Sequence, residues 1–558
     1  MRSYLIRLTK TLKILCVLSA FVYTISANAA VLDIDSIESP DYSEYFSFPE
    51  NDQKIQDSSL ETLKGDFQEI LFLVKQKNIA KAKEKVKGYI AKSPEQSLYY
   101  YLKGVLEVIN GDSLRAEQSF LEAVSLNQDD FLANTALARL ALEKKLYSKA
   151  EIFANKAIDN NPNAINAYKI LADIAMYRQG IDAAEEVFVE ARTKVKGNLS
   201  SELQISKILG EIYIANHQPK KFLVLANDLA KQYKNDTATL SLLADAQVAN
   251  GEFNEAISTL NKVIQLNSKN AEAQFLLAQL LSNTNSKKSE VIDLLDKAAK
   301  AIDNPLEVLI FKTSFLVKTG DFKRAHVVAE QVSDNYPGQG LGKKLQGDIY
   351  FTEKKYEDAL NSYQQAYQKR SNLVTLDAIL LTLNKQNKQL QAIELLEQEL
   401  KKNKTNIPVE FRLAEAYLAA AKYDEAIQHY ESRLNNEKDN ALLLNNLAWA
   451  YSQKNVPKAL VFAEKAYKQA PNSGAIADTL GYLLLKDGKK EKSLDTLKKA
   501  AEMLPNEGQV QLHLAEAYIA NQYYQKARGI LQRLIKLDDF EKAQAKKLMS
   551  ELSVHDKN

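Results

Sequence analysis

From about residue 63 onward, apolar residues recur at three- and four-residue steps in short segments separated by polar turns, the period of amphipathic helices rather than strands. The segments come in pairs, and one small residue in the second member of each pair sets the register. Ala82, Ala116, Ala150 and Ala184 recur every 34 residues. After a four-residue slip come Phe222 and Ala256, then Val291, Ala325, Ala359, Ala392, Ala426, Ala459, Ser493 and Ala527 at steps of 33 to 35. The first members carry their own small residues at Gly104, Ala138, Ala172, Gly210, Ala244, Ala278, Gly347, Ala414, Ala448, Gly481 and Ala515. Small residues on both helices let two backbones approach, while larger apolar neighbours fill the space beside them. The pattern predicts fourteen helical hairpins between residues 63 and 539.

The best-formed stretch runs from Ala441 to Glu507. It reads Leu444-Asn445-Asn446-Leu447-Ala448-Trp449 and then Ala459, Ala463, Ala466 and Pro471, followed by Leu480-Gly481-Tyr482, Leu497, Ala500 and Pro505. Turns inside hairpins are predicted at Gly111-Asp112, Gly251-Glu252, Gly320-Asp321 and Asp487-Gly488, where glycine relieves the strain of a helix end. Pro94, Pro162, Pro337, Pro471 and Pro505 fall at one common place and close their units. The repeats weaken near 194–235, where an insertion precedes the bulky Phe222, and near 283–305, where a turn is elongated. Residues 540–558 read as a capping helix and tail, which a stack of repeats needs over its last apolar face.

This 34-residue pattern of an aromatic or Leu, paired small residues and a closing Pro resembles the tetratricopeptide repeat family. The resemblance implies an all-α, right-handed superhelical solenoid of about 14 hairpins with a C-terminal capping helix, acting as a protein-binding scaffold rather than a catalyst. The clamp by which co-chaperone members hold a C-terminal carboxylate, a Lys followed four residues later by Asn, is not matched. Lys169 with Asp173, Lys207 with Glu211 and Lys344 with Asp348 stand in those places.

The first 62 residues do not follow the repeat. Arg2, Arg7, Lys10 and Lys13 lead into the apolar run 14–25, and Ala27-Asn28-Ala29 is a small-x-small cleavage site. Residues 1–29 therefore read as a cleavable signal peptide, too short in its apolar run to span a membrane, and predict a periplasmic protein that meets membrane only indirectly. The one cysteine, Cys16, lies inside this leader. Residues 30–62 hold Asp33, Asp35, Glu38, Asp41, Glu44, Glu50, Asp52, Asp57 and Glu61 with Tyr42, Tyr45, Phe46 and Phe48, and read as a disordered acidic arm, either a linker or a docking peptide.

Charge removes one class of partner. The chain has 73 basic and 71 acidic residues, and loss of the four leader cations tips it to slightly acidic, so no nucleic-acid surface is expected. No H-E-x-x-H, G-x-S-x-G, P-loop or dinucleotide glycine run is present, and no cofactor, metal or enzymatic activity is expected. The five histidines, His217, His326, His429, His513 and His555, lie in different units and read as surface or turn residues. Most tyrosines and phenylalanines fall at repeat-equivalent places and read as packing. Tyr99-Tyr100-Tyr101 and Tyr523-Tyr524 depart from that rule and leave open an aromatic platform for sugar rings.

The candidate site is the inner surface lined by first helices. The residue after the small one is acidic at Asp173, Glu211, Asp245, Asp348, Glu415 and Glu516, and aromatic at Trp449 and Tyr482, with Asn445 one turn before Trp449. These nine residues outline a polar groove for a partner. The run 443–534 is also similar to the C-terminal repeats of exported scaffolds of the PEP-CTERM (exosortase) system, linked to exopolysaccharide production. That likeness implies envelope or secretion-complex proteins as partners, with the polysaccharide itself or regulation of an envelope enzyme as alternatives.

Overall fold

The computed structural model describes residues 58–284, 286–403, 405–435, 437–536 and 542–555. Residues 1–29, read as a signal peptide, and nearly all of the arm expected at 30–62 lie outside the described residues. Those residues carry 29 helices and no strand. The helices form fourteen consecutive pairs, from Ser58–Lys75 with Ile79–Lys92 to Gly508–Ala520 with Tyr524–Lys536, followed by Lys542–His555. The first helix thus begins at Ser58, ahead of the expected start at residue 63. The chain divides into two compact units, one ending at Val328 and one beginning at Ala329.

Within each unit a helix packs on the other member of its hairpin and on the nearest helix of the next hairpin. The register residues explain how close that approach is. Ala82, Ala116, Ala150, Ala256, Ala359, Ala426, Ala459 and Ala527 are all fully buried. A Cβ placed on Gly347 of Leu341–Thr352 would stand 2.5 Å from the ring of Tyr363 on Tyr356–Lys369. The fifth hairpin inverts the sizes. Phe222 replaces the usual alanine, and Gly210 opposite it leaves the room, since a Cβ there would lie 2.5 Å from the Phe222 ring.

Hairpin turns close with one residue in the left-handed region. Gly111, Gly251, Gly320 and Gly488 hold φ between +77° and +81°, as the sequence predicts. The equivalent turns at Lys77, Lys145, Lys354, Ala421 and Gln522 place a side-chain-bearing residue in the same region, with φ from +57° to +65°. Several first helices start on an Asx cap: Asp130 accepts from Ala133 N–H at 3.0 Å, Asp236 from Thr239 N–H at 2.8 Å and Asn270 from Ala273 N–H at 2.9 Å.

The two irregular regions are built differently. Around residue 197 the chain continues into the 17-residue helix Leu199–Ala215, and the buried Glu202 accepts from Gly197 N–H at 2.5 Å and from Tyr233 O–H at 2.9 Å. The insertion is therefore pinned by a carboxylate. Near residue 283 the first helix, Ala271–Leu281, has 11 residues and a longer connection leads to Lys288–Ala301. At the C-terminal end Lys542–His555 covers Tyr524–Lys536 and buries Ala545 and Leu552.

Candidate functional site

Five first helices of the C-terminal unit carry the features that stand out: Leu373–Lys385, Ile407–Ala419, Ala441–Ser452, Gly474–Lys486 and Gly508–Ala520. Each buries a stripe of small and aliphatic residues against its hairpin and leaves another face open. On Ala441–Ser452 the buried stripe is Leu443, Leu444, Leu447, Ala448 and Tyr451, while Leu442 is 57% and Trp449 37% exposed. Asn445 lies one turn before Trp449, and its Oδ1 is buried without a hydrogen-bond partner among the described residues.

Trp449 opens a row of rings that crosses three helices. Its ring centroid is 5.9 Å from that of Tyr482, which lies 4.3 Å from His513 in a stacked arrangement. His513 is 3% exposed, which corrects its reading as a surface or turn residue. Its Nδ1 is 2.9 and 3.0 Å from the two carboxylate oxygens of Asp478, and its Nε2 is 2.8 Å from Gln509 Nε2. With Nδ1–H donating to Asp478, Nε2 is placed to accept from the Gln509 amide. Lys486 Nζ stands 5.1 Å from the Tyr482 ring centroid, a cation over an aromatic face.

In the two repeats just before this row, a cavity of about 540 Å³ is lined by Leu373–Lys385 and Ile407–Ala419, with Gln389 and Ala392 of the helix between them. Leu380, Leu381 and Phe411 form apolar walls, and the small Ala392, Ala416 and Ala419 leave the space. Arg412 faces Asp377 as a fork. Its Nη2 donates to Oδ2 at 2.6 Å, its Nε donates to the other oxygen, and Nη1 donates to the Pro408 carbonyl at 2.9 Å. Glu415 beside them is exposed to solvent along much of its side chain. Desolvation raises its carboxyl above the ordinary carboxylate value, with Arg412 opposing and Asp377 adding to the rise.

The structure separates the other sequence-predicted residues. Asp173, Glu211 and Asp245 lie on consecutive first helices of the N-terminal unit, Glu211 exposed and the two aspartates half-buried. Asp348 is engaged on both oxygens, accepting from Tyr363 O–H at 2.8 Å and from Lys344 Nζ at 2.8 Å. It locks a hairpin together. Glu516 accepts from Gln544 of the C-terminal helix at 3.3 Å. Glu415, Asn445, Trp449 and Tyr482 remain as the group with open faces on successive first helices. Arg412, Asp377, Asp478 and Lys486 belong with them and were not singled out in the sequence, and His513, read there as a surface or turn residue, joins them. One signal could have found four of these: Arg412 follows Asp377 by 35 residues, as His513 follows Asp478, one repeat plus one.

Most remaining aromatics are structural. Tyr99 and Tyr101 are buried, so the triple-tyrosine run is no platform, and Tyr99 O–H donates to Asp66 at 2.8 Å. Tyr417 donates to Glu397 at 2.7 Å and Tyr451 to Glu431 at 2.6 Å, tying a first helix to the second helix before it. Burial, then the Glu397 hydrogen bond, push the Tyr417 hydroxyl up to about 12. Tyr523 is exposed, set edge-on to Tyr518. Among the described residues no group of three or more His, Cys, Asp or Glu side chains is placed to hold a metal ion, and no helix is long and apolar enough to cross a membrane.

Comparison with known proteins agrees with this repeat architecture. Tetratricopeptide repeat models match residues 101–165, 241–305, 316–373 and 411–474, and a further one matches 484–552. DnaJ homolog subfamily C member 3 of Gallus gallus is 24% identical over 352 residues, a match covering 61% of this chain and 59% of that protein's length. Among solved structures, the APC/C hetero-tetramer Cut9-Hcn1 is similar at 13% identity and a TM-score of 0.37, covering 87% of this chain and 96% of that one. Yeast Tom70 is similar at 14% identity and a TM-score of 0.34, covering 83% and 96%. The matched repeat segments together take in more than half of the residues, and the chain belongs to the tetratricopeptide repeat family.

Proposed function

We propose that this scaffold holds an extended segment of a partner protein along the first helices of its C-terminal unit, as part of an exported bacterial envelope assembly serving exopolysaccharide production. Tetratricopeptide repeat proteins bind protein partners, and the observation that carries the choice of site is the aromatic row. Trp449 keeps an exposed face while Tyr482 and the buried His513–Asp478 couple fix the row behind it. Exposed aromatic surface held rigid in this way loses little conformational freedom on binding. The leader-like residues 1–29 support export, and the likeness of 443–534 to exosortase-associated scaffolds supports the envelope role.

The reading places no catalytic step on this chain, which acts by bringing other proteins together. Affinity capture after mild crosslinking in the native envelope tests it, comparing the wild type with Trp449→Ala and Tyr482→Ala. Envelope polysaccharide synthesis or export proteins should be recovered by the wild type and lost with either variant. Recovery unchanged by both variants would remove the site, and a fusion of residues 1–62 that stays in the cytoplasm would remove export. Capture of glycan without protein would favour the polymer itself as ligand, with the same two rings stacking on sugar.

A further inference from the structure

Glu415 and Trp449 each follow the small residue of their first helix, Ala414 and Ala448, and so stand at matching places one repeat apart. Between them they offer two different surfaces. At the cavity, Asp377 matches the charge of Arg412, and Glu415 makes no hydrogen bond or ion pair of its own among the described residues. The cavity therefore carries one uncompensated negative charge above apolar walls. Desolvation raises the Glu415 carboxyl, Asp377 adds to the rise, and Arg412, already forked onto Asp377, opposes it.

The chemistry of the cavity narrows what can enter. An anion would meet Glu415 with no free counter-charge. A wholly apolar group would desolvate Glu415 further without pairing it, at a cost. A long basic side chain satisfies both parts, its aliphatic stem lying on Leu380, Leu381 and Phe411 and its head reaching Glu415. A guanidinium also stacks on an aromatic face such as that of Phe411, which an ammonium does less well.

Resting on the scaffold reading above, we propose that this cavity seats a basic side chain of the bound segment, an arginine by preference, and that an apolar residue about three positions away lies on Trp449 and Tyr482. The spacing follows from geometry. Neighbouring helices stand roughly 8–10 Å apart, and an extended chain covers that distance in about three residues at roughly 3.3 Å each.

Trp449 is the chain's one tryptophan, so its fluorescence reports occupancy of the adjoining subsite without labelling. The probes are end-blocked peptides Gly-Ser-Arg-Ser-Ser-Leu-Ser-Gly and the reverse order, each also made with citrulline in place of arginine. Citrulline keeps the shape and removes the charge. One arginine peptide is expected to bind saturably, and its citrulline form to bind about ten-fold or more weakly, the scale of a charge-assisted pair. Glu415→Gln should abolish that difference while leaving the citrulline peptide unchanged and the helical circular dichroism intact. Equal binding of the arginine and citrulline peptides by the wild type, equal weakening of both by Glu415→Gln, or no binding of either order by fluorescence and calorimetry would overturn the proposal. The scaffold reading would survive any of these if Trp449→Ala still lost the captured partner, so the two can fail separately.

Discussion

His513 and Asp478 form a couple between neighbouring first helices, with Nδ1 at 2.9 and 3.0 Å from the two carboxylate oxygens and the imidazole almost wholly buried. Removing the ring would leave a largely buried carboxylate without its donor and Tyr482 without its stacking neighbour. His513→Ala should destabilise the C-terminal unit by about 2–3 kcal/mol, read as an earlier urea transition. His513→Phe restores ring area but no donor, so a similar loss would assign the effect to the hydrogen bond rather than the stack.

Gly347 and Tyr363 make the same kind of argument about packing. A methyl group at Gly347 would lie 2.5 Å from the Tyr363 ring, and Tyr363 is held in place by its hydrogen bond to Asp348. Gly347→Ala should cost about 1–3 kcal/mol by overpacking. Adding Tyr363→Leu should recover part of that loss, and a double-mutant cycle in urea would measure the coupling.

Ala421 sits at φ +57°, where four equivalent turns, at Gly111, Gly251, Gly320 and Gly488, carry glycine. The left-handed conformation strains a side-chain-bearing residue, and glycine relieves it at some entropic cost in the unfolded chain. Ala421→Gly is expected to gain about 0.5–1 kcal/mol, seen as a higher midpoint in thermal unfolding.

Two carboxylates should give stability opposite dependences on pH. Desolvation raises Glu415 in the folded chain above its ordinary 4.5, with Arg412 acting against the rise. The folded state then holds that proton more tightly than the unfolded one, so its contribution is most favourable below 4.5 and declines as pH rises through the folded value. Glu117 is lowered by hydrogen bonds from Lys144 and Lys149, and its contribution is present above 4.5 and lost as pH falls through the folded value. Unfolding measured against pH should therefore find Glu415→Gln more stable than wild type near neutrality and Glu117→Gln less stable. Both differences should fade toward the acid end.

The hairpin register was legible because a single steric requirement repeats. Wherever two backbones approach, one small residue is needed, and Ala82 through Ala527 report it. Even the exception at Phe222 obeys the rule once Gly210 is set opposite. Turns were legible where glycine marks them and silent at Lys77, Lys145 and Gln522, whose side chains give no hint of a left-handed backbone. The site was harder to read. Asp348 looked equivalent to Glu415, but Lys344 one turn earlier takes one of its oxygens and Tyr363 on the second helix takes the other, and only the lysine is visible on its own helix. His513 looked isolated because its partner lies one repeat away in sequence. A search for metal or catalytic spacing within one segment cannot find a pair made across two.

The couples Arg412–Asp377 and His513–Asp478 each span adjoining hairpins, so their chemistry belongs to an ordering of units rather than to any unit alone. Exchanging the hairpin that carries His513 with the one before it would keep the composition, length and helical content of the chain, yet separate histidine from aspartate. Such couples let a modular protein recognise its own sequence of modules, and they limit which duplications or deletions of whole repeats its lineage could accept.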